Sequence, residues 1–108
     1  MSISREDASR MSFDDMIEPG SGVLDPVTPG EILRAEFMEP LGLSARALAR
    51  EIGVPPNRIT AILHGERGIT AETAIRLARR FNSSARFWMN LQVAYDLAIA
   101  ERNIGHAA

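Results

Sequence analysis

Neither cysteine nor lysine occurs among the 108 residues, and aromatic side chains are few: four Phe, one Trp and one Tyr. Without cysteine there is no disulfide framework and no thiolate to act as nucleophile or metal ligand, a composition that fits a reducing cytoplasm. Histidine is scarce as well. His64 and His106 are the only two, and neither has a carboxylate pair beside it or a second ligand at metal spacing. No glycine-rich phosphate loop follows a strand. The chain therefore offers no catalytic residue, metal site or cofactor site, and the expectation is a protein that is not an enzyme. No apolar run approaches the length needed to cross a bilayer, and the acidic start, with Glu6, Asp7, Asp14 and Asp15, lacks the layout of a signal peptide. The length suits one domain with a small core of its own.

The formal net charge of -2 hides a strong division along the chain. Residues 1 to 43 carry three Arg against nine acids, or -6; residues 44 to 80 carry seven Arg against three acids, or +4; the remainder balances at two each. Positive charge is thus concentrated in the middle of the chain, where a polyanion would be met. The first 27 residues show no helical or strand period and contain Pro19, Gly20, Gly22 and Pro26. They read as an N-terminal arm, weakly ordered or partner-binding.

From Thr28 onward, helix punctuation recurs. Thr28, Pro29 and Glu31 match the N-cap, first and third positions of a capping box, opening a helix that Pro40 and Gly42 end near Met38. Ser44 caps a second helix, which ends at Gly53. Pro56 occupies an early position of a third helix running to about His64, where Gly65 stops it. Thr70 caps a fourth helix reaching Phe81, and Ser83 or Ser84 a fifth, the longest, to about Arg102. No segment alternates with period two, so the expected fold is all-α, a five-helix bundle occupying residues 28 to 104.

Within this layout Ala49, Gly53, Ile59 and Ile62 stand at the offsets a helix-turn-helix requires. A small residue lets the two helices approach, a glycine permits the sharp turn, and two isoleucines three apart seat the second helix. The early turns of that second helix then face a DNA major groove. They carry Pro56, Asn57, Arg58, Thr60 and Ala61, with His64 at the end. Asn57 suits adenine, Arg58 suits guanine or a phosphate, and the Thr60 methyl suits thymine. Arg46 and Arg67 are placed as phosphate clamps.

The last helix carries two apolar stripes. Phe87, Trp88, Leu91, Ala94, Tyr95 and Ala98 project to one side, and Met89, Val93, Leu97 and Ala100 to the other. One stripe packs the helix onto the bundle. The second needs another partner, either the N-terminal arm folded back or, in keeping with the two-fold symmetry of palindromic operators, the same helix of a second copy.

Three stretches, TPGEILRAEFMEPLGLS at 28 to 44, ALAREIGVPPNRITAILHGERGIT at 47 to 70 and SARFWMNLQVAYDLAIA at 84 to 100, resemble the HigA family of addiction-module, or plasmid-maintenance, antitoxins. Phe87, Trp88, Asn90, Leu91, Gln92, Tyr95, Asp96 and Leu97 form the narrower part of the resemblance. It implies a lambda-repressor-like helix-turn-helix fold with a long C-terminal dimerisation helix. It also implies a homodimer that binds double-stranded operator DNA, represses its own operon and neutralises a cognate HigB-like mRNA endonuclease toxin. The chain departs from compact members in its longer leader and in Pro55 and Pro56, where many relatives carry polar residues. A freestanding helix-turn-helix repressor without a toxin, and a helical protein-binding adaptor, fit the same residues.

Overall fold

The structure is a computed structural model that describes residues 25–107; the arm expected over residues 1–27 lies outside the described residues up to position 24. Everything regular among the described residues is helical. Thr28, in extended conformation, accepts the Glu31 N–H on its side-chain oxygen at 3.1 Å, and Pro29 follows as the first helical residue. One α-turn, Pro29–Ile32, widens into a π-helix, Leu33–Met38, and tightens again into a 3-10 turn, Glu39–Leu41. These three segments, residues 29–41, form α1. In the widened stretch the Glu39 N–H reaches back five residues to the Arg34 carbonyl. The helix therefore outlasts the end expected near Met38. Pro40 is accommodated at the start of the 3-10 turn, where a missing N–H is harmless, and Gly42, with φ 62°, provides the stop.

The remaining helices are α2 (Ala45–Ile52), α3 (Pro56–Leu63), α4 (Ala71–Phe81) and α5 (Ala85–Ala107). Ser44 and Thr70 cap α2 and α4 through their hydroxyl oxygens. Ser84 caps α5 by accepting the Phe87 N–H at 3.0 Å, while Ser83 accepts instead from the indole Nε1–H of Trp88 at 2.9 Å. Asn82 ends α4 with φ 55°, the left-handed conformation that asparagine tolerates better than most residues. Helix α5 runs five residues past the expected end at Arg102. Only Gly105 interrupts that stretch, and one glycine costs about 1 kcal/mol without ending a helix.

The core is built from Leu33 and Met38 of α1, Leu48, Ala49 and Ile52 of α2, Ile59 and Ile62 of α3, Leu77 of α4 and Trp88 of α5. Trp88 is fully buried and lies 4.8 Å from the Phe37 ring, which also meets Phe81 at 5.1 Å and Phe87 at 5.9 Å. Four of the six aromatic residues thus join α1, α4 and α5 at one point. Helix α1 crosses the end of α3 so closely that a Cβ on residue 30 would lie 2.0 Å from the Ile62 carbonyl oxygen, so only glycine fits there. The inward stripe of α5 differs from the expected one at its margins. Trp88, Leu91, Tyr95 and Ala98 are buried or half-buried as projected, but Phe87 and Ala94 are exposed and Gln92 and Ile99 turn inward. Arg102 of α5 pairs with Asp25 at 3.2 Å. No described helix is long and apolar enough to cross a membrane.

Candidate nucleic-acid interface

The two helices of the motif meet as their residue types require. Ala49 is fully buried, which brings α2 and α3 together, and Gly53 closes α2 with φ 78°, a conformation most side chains resist. Its N–H and that of Val54 both return to the Ala49 carbonyl, at 2.8 and 3.0 Å. Val54 drops into the core, Pro55 is extended, and Pro56 opens α3. Arg76 of α4 secures the corner: its Nη1–H donates to the Ile52 carbonyl at 2.7 Å, supplying a cation where the helix dipole is negative.

With Ile59 and Ile62 buried, the opposite side of α3 is left open. Asn57, Thr60 and His64 are exposed and Ala61 is half-buried. These four stand at i, i+3, i+4 and i+7 and form a single outward stripe. Pro56 is exposed at its edge. The Thr60 hydroxyl donates to the Pro56 carbonyl at 3.2 Å, so this group is engaged within the helix itself.

Arg58 sits differently from its neighbours. It lies about 100° around the helix from Asn57, toward the core side. Its side chain is only 21% exposed, with Nη1 3.8 Å from Oε1 of Glu72, near the start of α4. Its Nε is buried and has no acceptor among the described residues. Arg58 is thus on the flank of the outward stripe, not in it.

Arg46, in the first turn of α2, and Arg67, in the loop after α3, are both exposed and form no ion pair with a described residue. Arg50 and Arg79 share that state, whereas Arg76 and Arg80 are tied to Glu72 and Glu51. Exposed guanidinium groups with no ion pair to a described residue therefore flank the α3 stripe through α2 and through the α3–α4 loop. That loop is fixed from behind by Gln92 of α5, whose Oε1 accepts the Ile69 N–H at 2.7 Å while its Nε2 donates to Asp96 at 3.0 Å. Neither Glu72 nor the loop-holding role of Gln92 was anticipated. The i to i+4 spacing of Glu72 and Arg76 was the one available signal for the acid.

On the other side of α5, Val93 (49%), Leu97 (57%) and Ala100 are exposed, and Ile104 (69%) continues their row. Met89, grouped with them by projection, is half-buried and packs on the core. Among the described residues, no three potential metal ligands of the His, Cys, Asp or Glu types come together.

A helix-turn-helix family model matches residues 35–88, which span α2, α3 and α4. Virulence-associated protein I of Dichelobacter nodosus is 49% identical over 87 residues, 81% of each chain. Antitoxin HigA-1 of Vibrio cholerae is 42% identical over 72 residues, 67% of this chain and 68% of that protein. The solved structure of Pseudomonas aeruginosa antitoxin HigA with the higBA promoter superposes with a TM-score of 0.73 at 48% identity, covering 76% of this chain and 89% of that one.

Proposed function

The chain belongs to the HigA family of helix-turn-helix antitoxins, and on that premise we propose that it binds the operator of its own operon as a homodimer, represses that operon and neutralises a cognate mRNA-cleaving toxin in the cytoplasm. It acts by binding, without catalysis of its own. The observation that carries the DNA part is the outward stripe of Asn57, Thr60, Ala61 and His64, flanked by the exposed Arg46 and Arg67. In this reading Asn57 and Thr60 read base edges, His64 and Pro56 line the groove, and Arg46 and Arg67 hold phosphates. Arg58 contributes from the flank. The homologous Pseudomonas aeruginosa antitoxin, solved with promoter DNA, supports the same use of this fold. The exposed Val93, Leu97 and Ala100 supply a self-complementary face for the two-fold arrangement, with Met89 at its inner edge.

Two measurements test the proposal. Titrating a labelled duplex of the chain's own promoter should give an affinity that falls steeply between low and moderate salt, because each neutralised phosphate releases counterions. Binding that is absent, or indifferent to salt, would contradict it. Co-expression with the adjacent reading frame should relieve a growth defect and yield a co-purifying complex. Operator binding without rescue or complex would leave a freestanding repressor.

A further inference from the structure

Resting on the operator-binding reading above, we propose that Glu72 determines specificity by holding Arg58 off the DNA, so that the chain discriminates against unrelated duplexes. Arg58 is the only arginine of α3, yet its guanidinium is turned toward the Glu72 carboxylate, with Nη1 at 3.8 Å from Oε1. Its Nε is buried without an acceptor among the described residues, which leaves a donor ready for a new partner once the group swings out. The carboxylate itself is not free to follow. Its other oxygen, Oε2, accepts from Arg76 Nε–H at 3.1 Å and lies 3.0 Å from Arg76 Nη2. Arg76 is in turn held to the Ile52 carbonyl at the corner of the motif. The acid is thereby fixed at the edge of the reading stripe by a residue that is part of the turn.

The strengths of these contacts suit an exchange. The Arg58–Glu72 pair is long, and the Glu72 side chain is 60% exposed, so the pair is weak enough for a forked guanine contact to displace it. On any duplex, releasing Arg58 forfeits its pair with Glu72. Only a sequence that offers Arg58 a well-placed forked contact repays that loss. An unfavourable element against the wrong partner, kept small enough for the right one to overcome, is a recognised route to discrimination.

The test compares wild type, E72Q, R58Q and R58Q/E72Q on a duplex carrying the chain's own promoter and on a scrambled duplex of equal length, across a potassium chloride series. E72Q should tighten scrambled-duplex binding by about fivefold and steepen its salt dependence by about one phosphate, with a smaller gain on the promoter. The ratio between the two affinities should fall, and the gain should vanish in R58Q/E72Q. An E72Q chain with an unchanged ratio, or a gain that survives without Arg58, overturns the inference while operator binding stands. A wild-type chain that fails to bind its promoter overturns the operator reading and this inference with it. Melting curves of all four chains separate these outcomes from misfolding.

Discussion

Helices α2 and α3 divide their faces cleanly, whereas α5 does not. In the motif pair, Ala49, Ile59 and Ile62 go inward while Arg46, Asn57, Thr60 and His64 go outward, so the folded chain leaves a polar reading surface and no exposed large apolar group on that face. Helix α5 buries Trp88 and half-buries Leu91 and Tyr95, yet still presents Val93, Leu97 and Ile104 to solvent. A helix with one apolar stripe completes its packing within the chain. One with two completes it only when another surface arrives. The molecule thus separates a polar face flanked by exposed arginines from an exposed apolar row.

That contrast can be broken first from inside α5. Trp88→Ala removes the side chain at which α1, α4 and α5 meet, and should cost about 3–5 kcal/mol, read as a lowered denaturation midpoint. Val93→Glu tests the outer side of the same helix. It should leave the monomer folded but weaken self-association by about 3 kcal/mol, roughly a hundredfold, measured by sedimentation equilibrium. An unaltered dimer would show that the row through Val93 is not the contact. On the motif pair, Asn57→Ala should cost about 1–3 kcal/mol at the operator with base preference relaxed and the melting temperature unmoved. The smallest effect is expected from Ser44→Ala, about 1 kcal/mol of stability through loss of the α2 cap, with self-association unchanged.

Much of this arrangement was legible in the sequence because it is locally determined. The hydroxyls of Thr28, Ser44, Thr70 and Ser84 each sit three residues before the N–H they accept, and Gly53 turns the chain where the motif demands it. The features that were not legible depend on residues far apart in the chain or on unusual backbone. The widening of α1 carries Pro40 past the point where an ordinary helix would have stopped. Arg58 was expected among the base readers from its place in α3, but its guanidinium lies beside Glu72, which only the packing of α4 brings near. Gln92 stood out by resemblance alone; that its amide holds the loop bearing Arg67 follows from a contact 23 residues away.

The separation of the two faces is tested most directly by mapping backbone amide shifts of the isotopically labelled chain as its own promoter duplex is added. Perturbations should concentrate at residues 44–47 and 56–68 and leave residues 93–104 unmoved beyond what self-association alone produces. Shifts centred on the outer row of α5, with Asn57, Thr60 and Ala61 silent, would contradict the assignment of α3 as the reading helix.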